Sequence, residues 1–285
     1  MAASTPAGRE GQSEKINKEE PALRNTRYRL TTEHLISFKA CVVADLHDRP
    51  YDTILPILRA ERPDLILIPG DLTEALRAGE ETAERMGLCL LAECAAISPT
   101  FYTFGNHEIG GCHRSIRHTK GSDTPPKFHL TPAWRRVIAS TGAELLCQEH
   151  TLWNGIAIGA LGSGLLNPGK IPDFSMLEDF TAQDGYKLLL CHHPEYYDRY
   201  LRPYPIDLTV SGHAHGGQWR VFGRGVYAPD QGLFPKYTAG MHENRLIISR
   251  GVVNSVAGIP RIFNPFEVVT VEVNAKCKMQ NQVRK

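Results

Sequence analysis

Short, uninterrupted apolar runs recur along the chain and alternate with segments of helical periodicity. Runs of this kind are typical of strands that are buried on both faces of a sheet. In the first half of the chain we predict strands at 39–44, 65–68 and 101–104, separated by helices at 53–61 and 80–97. An order of strand, helix, strand, helix, strand indicates a layered α/β sheet.

The second half is predicted to contain more closely spaced strands and fewer helices. The predicted helices are 132–140 and a less regular one near 173–181, and the predicted strands are 144–153, 156–161, 187–191, 207–210, 246–249 and 267–273. No repeat or linker divides the chain, and 285 residues suffice for one large domain. We therefore predict one domain over residues 27–275, between a disordered polar tail over 1–26 and a C-terminal tail over 276–285.

Composition argues against several classes of protein. Lys and Arg number 32 against 31 Asp and Glu, which is not the balance of a strongly basic nucleic-acid-binding surface. No apolar run reaches the length of about 18 residues that a membrane span needs, and residues 1–26 lack the apolar centre of a signal peptide. The seven Cys are odd in number and include no C-x-x-C, which favours a reducing compartment. We expect a cytoplasmic protein without a transmembrane segment, for which peripheral membrane contact stays open.

Five of the predicted strands lead into Asp, Asn or His, and in three of them a Gly stands just before the polar residue. These residues are Asp45 with His47, Asp71, Asn106 with His107, His192 with His193, and His213 with His215. Ligands of open α/β sheets bind outside the carboxyl ends of the strands, so these side chains can converge on one volume. The two Asp, the Asn and four of these six His would form an oxygen and nitrogen ligand set that suits Mn, Fe, Zn, Co or Ni. Seven ligands are too many for one tetrahedral ion and suit two ions that share a carboxylate.

Taken in this order, the motifs resemble those of the calcineurin-like metallophosphoesterase superfamily. They read Asp45-Leu46-His47, Gly70-Asp71, Gly105-Asn106-His107-Glu108, His192 and Gly212-His213-Ala214-His215. The resemblance covers roughly residues 28–273 and implies a four-layer αββα sandwich, with two mixed β-sheets flanked by helices. The G-H-x-H-G-G-Q ending further resembles a bacterial branch of membrane-tethered or wall-associated phosphoesterases and hydrolases of nucleotide-linked lipid A precursors. From residues 1–26 we expect no N-terminal membrane or export segment of the kind usual in that branch.

The resemblance also implies a binuclear metal centre and a catalytic residue. The ligands implied for one ion are Asp45, His47 and His215. Those implied for the other ion are Asn106, His192 and His213, with Asp71 as the bridge. His107 is implied to be the catalytic acid that protonates the leaving oxygen, a role suited to a side chain that titrates near neutrality. Glu108 is expected to position His107 or the neighbouring loop.

Several assignments have alternatives. Strand alternation points His192 and His193 to opposite faces, and the H-x-P pattern formed with Pro194 favours His192 as the ligand. His107 either donates a proton or contributes a hydrogen bond alone. The segment 109–131 is interpreted either as a solvated loop or as a cap whose cations contact an anionic substrate. The aromatic residues after His215 either line an apolar wall for a lipid or nucleobase or pack in the core; they are Trp219, Phe222, Tyr227 and Phe234.

The function predicted is metal-dependent hydrolysis of a phosphoric ester by a metal-activated water, with two divalent ions per chain and Mn favoured in vitro. The substrate is a phosphate-ester small molecule or a lipid-linked nucleotide, and the ligand set does not choose between diester, monoester and pyrophosphate. Stable binding of nucleic acid is not expected, and the oligomeric state stays open. Two rival hypotheses are a non-catalytic scaffold for protein partners and a single structural metal site.

Overall fold

The computed structural model describes residues 22–109, 130–163, 174–254 and 259–276. Its strands, in chain order, are β1 (Arg24–Thr32), β2 (Phe38–Val42), β3 (Leu65–Ile68), β4 (Thr100–Tyr102), β5 (Glu144–Leu145), β6 (Glu149–Trp153), β7 (Ile156–Leu161), β8 (Tyr186–Cys191), β9 (Leu208–Ser211), β10 (Arg220–Val221), β11 (Arg224–Gly225), β12 (Tyr227–Ala228), β13 (Gly232–Leu233), β14 (Gly240–His242), β15 (Leu246–Ile248) and β16 (Glu267–Ala275). Its helices are α1 (Ile54–Glu61), α2 (Met86–Ile97), α3 (Pro132–Ala139) and α4 (Ser175–Ala182). A π-helical turn at Tyr197–Leu201 and a short 3-10 turn at His215–Gly217 complete the set.

The strands form two six-stranded mixed sheets, with spatial orders β1-β16-β2-β3-β4-β5 and β14-β15-β9-β8-β7-β6. In the first sheet β2, β3, β4 and β5 run parallel, whereas β16 is antiparallel to β2. In the second sheet β7, β8, β9 and β15 run parallel, and both outer strands β6 and β14 are antiparallel to their neighbours. Two small hairpins, β10–β11 and β12–β13, follow the second sheet's β9.

The two sheets share a central apolar core. Side chains such as Val42 and Leu67 of the first sheet pack against Ile158, Leu188 and Val210 of the second. Helices α1, α2 and α3 cover the outer face of the first sheet, and α4 covers that of the second. The predicted four-layer αββα sandwich is therefore confirmed.

Helix α2 begins at Met86, six residues later than the predicted start at residue 80. The Asp48 side chain accepts a hydrogen bond from Gly87 N at 2.9 Å and forms an ion pair with Arg85. A carboxylate at this position satisfies an unpaired N–H and interacts favourably with the helix dipole. Arg85, the residue before Met86, has an extended backbone, so the helix does not continue towards the N-terminus.

Two strand predictions need correction. Residues 24–26, predicted to belong to the disordered tail, form the start of β1, which pairs in parallel with β16 along its whole length. The predicted strand 144–153 is two strands in different sheets, because the chain crosses from the first sheet to the second between β5 and β6. Gln148 takes a left-handed backbone conformation within this crossing. Parts of four predicted segments lie outside the described residues: 1–21 of the N-terminal tail, 110–129 of the possible cap, residue 173 of the predicted helix near 173–181, and 277–285 of the C-terminal tail.

Candidate metal centre

The predicted site residues lie in the loops that leave the carboxyl ends of β2, β3, β4, β8 and β9. Two glycines allow the loops after β3 and β4 to approach each other. A Cβ on Gly70 would lie 2.4 Å from Gly105 N, and a Cβ on Gly105 would lie 2.1 Å from Asp71 Oδ1. The two sheets are joined directly at this point, because His213 N donates to Asp45 Oδ1 at 3.0 Å.

Five of the seven predicted ligands adopt a left-handed backbone conformation. They are Asp45 (φ 59°), His47 (φ 54°), Asp71 (φ 53°), His213 (φ 65°) and His215 (φ 46°). This conformation is uncommon for residues other than glycine and costs free energy, so its concentration in one place is typical of a functional site. The loops are therefore held in strained conformations that aim these side chains.

One group of ligand atoms comes from Asp45, His47, Asp71 and His215. These atoms lie within 4.8 Å of one another, and all four residues are buried. Asp45 Oδ2 and His47 Nε2 are buried, and neither has a hydrogen-bond partner among the residues that the structure describes. Buried polar atoms of this kind are costly unless something compensates them, and a bound cation would do so. The donors thus fit a divalent metal ion.

A second group comes from Asp71, His192 and His213, again within 4.8 Å. His192 Nε2 lies 3.1 Å from Asp71 Oδ2 and 3.2 Å from Asn106 Oδ1, which adds the amide oxygen to the group. Burial disfavours the charged form of Asp71, but the positive charges of His192 and His47 outweigh it and hold the Asp71 pKa well below its ordinary value. Asp71 contributes a ligand atom to both groups, so it is the candidate for a ligand that two ions share.

The His193 ring lies 5.2 Å from the His192 ring between centroids, but its nitrogen atoms have different partners. Its Nε2 is 2.8 Å from Ser163 Oγ, and its Nδ1 is 3.1 Å from Glu195 Oε1. Burial, with the nearby charge of His213, lowers the His193 pKa to about 4. His193 and Glu195 lie within 4.8 Å of ligand atoms of His213 and Asp230, in a group that could itself hold a cation.

His107 is paired with a carboxylate that the sequence analysis missed. His107 Nδ1 lies 2.9 Å from Glu74 Oε2, and the other oxygen of Glu74 lies 3.5 Å from His47 Nδ1. Burial would lower the His107 pKa, but the hydrogen bond to Glu74 and the charge of Asp71 raise it to about 10. The signal available in the sequence was the spacing, since Glu74 follows Asp71 by three residues in the same loop.

The Glu108 carboxylate is directed at the backbone of the loops after β3 and β4, which explains how these loops are fixed. The buried carboxylate accepts hydrogen bonds from four backbone N–H groups and one hydroxyl. The donors are Asp71 N (3.0 Å), Leu72 N (2.6 Å), Thr73 N (3.1 Å), Gly105 N (2.8 Å) and Tyr102 Oη (2.9 Å). Of the two roles expected for Glu108, the structure favours support of the neighbouring loop.

The loop after β9 is held by residues from the segment before β16, which sequence reasoning also missed. Asn264 Nδ2 donates to the backbone oxygens of His215 (2.7 Å) and Gln218 (3.2 Å). Arg261 Nη2 lies 3.2 Å from His215 Nδ1, and Asp230 Oδ2 lies 3.1 Å from His213 Nε2. Polar partners of this kind orient the rings of metal-binding histidines.

Comparison with known proteins gives a consistent set of similarities. A family model described as calcineurin-like phosphoesterase matches residues 38–217, more than half of the chain. Phosphodiesterase YaeI of Escherichia coli (strain K12) is 29% identical over 245 residues, which cover 79% of this chain and 80% of YaeI. The uncharacterized metallophosphoesterase YkuE of Bacillus subtilis (strain 168) is 26% identical, with 78% of each protein covered.

Among solved structures, TT1561 of Thermus thermophilus is 11% identical with a TM-score of 0.40, over 62% of this chain and 82% of TT1561. Within the part of the chain that the structure describes, no helix has both the length and the hydropathy that a membrane span requires.

Proposed function

Since the chain belongs to the calcineurin-like phosphoesterase family, we propose that it is a metal-dependent hydrolase of phosphoric diesters with His107 as the general acid. One observation supports this proposal above all. Seven buried oxygen and nitrogen donors from both sheets lie together in two groups that share Asp71. The name of the similar E. coli protein, a phosphodiesterase, supports the choice of a diester.

Two divalent ions fit the donor set. Asp45, His47 and His215 would hold one ion, and Asn106, His192 and His213 would hold the other. Asp71 would bind both. When bound, such a pair supplies Lewis acidity, which activates a water molecule and neutralises charge on the phosphoryl oxygens. The donor types suit Mn, Fe, Zn, Co or Ni, of which Mn is the choice for assays.

His107 is placed to move a proton. Its backbone N–H donates to Asp71 Oδ1 at 2.8 Å, which fixes the residue beside the shared carboxylate. The Glu74 carboxylate contacts Nδ1, stabilises the cationic ring and leaves Nε2 as the atom that protonates the leaving oxygen. The His107 side chain is 24% exposed, so a substrate can reach it.

The proposal is tested with the Mn-loaded chain and p-nitrophenyl esters. We expect hydrolysis of bis-p-nitrophenyl phosphate to exceed that of p-nitrophenyl phosphate, and chelation to abolish both. Nucleotides and nucleotide-linked lipids, assayed in the same way, identify the substrate class. A chain that holds its metals and hydrolyses none of these esters would instead be the non-catalytic scaffold.

The acid role is tested by His107→Ala. The variant should keep its metals but lose roughly a hundredfold or more in turnover of esters with poor leaving groups, and less with p-nitrophenyl esters, which need no proton. His150→Ala, a half-buried histidine on β6, is the matched control and should leave turnover unchanged. An equal loss with good and poor leaving groups would contradict the acid role.

We also propose that the protein is located in the cytoplasm. The five Cys within the described ranges are free thiols, three of them buried, which is compatible with a reducing cytoplasm. Fractionation of the native protein tests this location.

A further inference from the structure

Three phenylalanines occupy exposed turns in a left-handed backbone conformation. Phe222 (φ 49°) is fully exposed, Phe234 (φ 49°) is 73% exposed and Phe263 (φ 53°) is 85% exposed. Bulky residues rarely adopt positive φ, and each instance costs about 1–3 kcal/mol. Glycine would fit these turns at lower cost and would expose no apolar surface. The fold alone therefore does not explain why aromatic side chains occupy these positions.

These phenylalanines lie on chain segments that backbone hydrogen bonds bring together. We define the aromatic surface as Trp219, Phe222, Leu233, Phe234, Ile262 and Phe263, all of which are exposed. Backbone hydrogen bonds join its segments: Arg220 N donates to Ile262 O at 3.0 Å, Val226 N to Trp219 O at 2.8 Å, and Phe234 N to Val226 O at 2.8 Å. A cluster of exposed large apolar side chains on one surface marks a site of interaction.

The aromatic surface adjoins the candidate metal centre. Arg261 directly precedes Ile262, and its guanidinium lies 3.2 Å from His215 Nδ1. Asp230, in the turn between β12 and β13, lies 3.1 Å from His213 Nε2. The segments that expose the aromatic side chains therefore also contact the histidines of the centre.

The chemistry of this surface fits the interface of a lipid bilayer. Aromatic side chains at turn tips, with a cation beside them, are typical of segments that sit at the headgroup level. The Trp219 indole N–H already donates to Pro260 O at 2.9 Å, so the ring can enter an apolar layer without an unpaired donor. Arg224 is exposed two residues after Phe222, and no ion pair within the described ranges involves it. Such a cation complements anionic headgroups.

A second copy of the chain is the other possible occupant. A self-interface requires a broad, closely packed area. Phe222 and Phe263 instead lie at exposed chain reversals, and most of each side chain is open to solvent. We propose that the aromatic surface docks the chain on the headgroup region of an anionic bilayer. This inference concerns binding alone and does not depend on the proposed hydrolysis.

Vesicle sedimentation of the full chain tests the proposal. We expect the chain to sediment with vesicles of phosphatidylcholine and phosphatidylglycerol in equal parts. Phe222→Gly combined with Phe263→Gly should weaken binding by roughly tenfold or more, because two apolar anchors are lost. The same variant should unfold at an unchanged or higher temperature, because glycine relieves the backbone strain. Arg224→Gln should weaken binding to these vesicles about fivefold, and less to pure phosphatidylcholine.

The control is Leu35→Ser, since Leu35 is 87% exposed but lies before the amino end of β2, at the opposite end of the strand from Asp45. This variant should bind vesicles like the wild type. Absence of vesicle binding, or binding that the double glycine variant retains, would overturn the proposal. Concentration-dependent dimerisation in sedimentation velocity that the double variant abolishes would assign the surface to a second copy instead.

Discussion

The two sheets fix the loops of the candidate metal centre with different partners. In the first sheet, the loops after β3 and β4 turn backbone N–H groups towards the buried carboxylate of Glu108. In the second sheet, the loop after β9 turns backbone oxygens towards side-chain donors. Asn264 donates to His215 O and Gln218 O, and Arg220 Nη1 donates to Gly216 O at 2.8 Å.

This difference predicts unequal sensitivity to mutation. Hydrogen bonds to an ionised acceptor are about twice as strong as those between neutral groups, and a buried charge that loses partners is costly. The first sheet's loops depend on one charged side chain with five donors. The second sheet's loop divides its support among several residues, including a neutral amide. The loops after β3 and β4 should therefore tolerate less change than the loop after β9.

The largest effect is expected for Glu108→Gln. Each carboxylate oxygen of Glu108 accepts at least two hydrogen bonds, so replacing either oxygen by an NH2 group removes at least two of them. The NH2 group would also lie against the N–H donors of the loops. The free energy of unfolding should fall by about 3 kcal/mol or more, measured by urea denaturation. Glu144→Gln, an exposed residue of the same sheet, is the control and should change stability by less than about 0.5 kcal/mol. A Glu108→Gln variant as stable as this control would show that the loops after β3 and β4 do not depend on the Glu108 carboxylate.

A smaller effect is expected for Asn264→Ala. The substitution removes the amide that donates to the backbone oxygens of His215 and Gln218, and it introduces no charge. Stability should fall by about 2 kcal/mol in the same urea experiment, since a buried pair of hydrogen bonds is lost. A loss equal to or greater than that of Glu108→Gln would show that the second sheet's loop is no less sensitive than the first's.

The smallest effect on stability is expected for Glu74→Gln, which separates the two glutamates of the first sheet's loops. The Glu74 side chain is 52% exposed, so stability should change by about 0.5 kcal/mol or less. Turnover of esters with poor leaving groups should fall about tenfold, because the neutral amide no longer stabilises the cationic ring of His107. Unchanged turnover would leave Glu74 without a role in positioning His107.

Much of the fold and the positions of the site residues could be predicted because they depend on local pattern. Apolar runs identify β2, β3 and β8 as buried strands, and the parallel arrangement brings the residues that follow neighbouring strands to one edge of a sheet. The proximity of Asp45 and Asp71, which follow β2 and β3, is expected from that rule alone.

The remaining features depend on contacts between distant segments. Residues 24–26 look like a polar tail, and they become a strand because β16 offers a parallel partner more than 200 residues later, where Arg24 pairs with Glu267. The start of α2 depends on the carboxylate of Asp48, and the pairing of His107 with Glu74 depends on how two loops are placed. Glu108 directly follows His107 in sequence, but its carboxylate accepts hydrogen bonds from backbone N–H groups such as Asp71 N, whereas the His107 ring contacts Glu74.

We infer that the two groups of donors hold a pair of ions that share Asp71, and the metal content per folded chain is the measurement that decides this claim. Elemental analysis of protein purified without chelator and incubated with Mn²⁺ should find about two ions per wild-type chain, and a marked loss in Asp71→Asn, because one residue serves both positions. One ion or none in the wild-type chain, or two ions retained in Asp71→Asn, would contradict the claim.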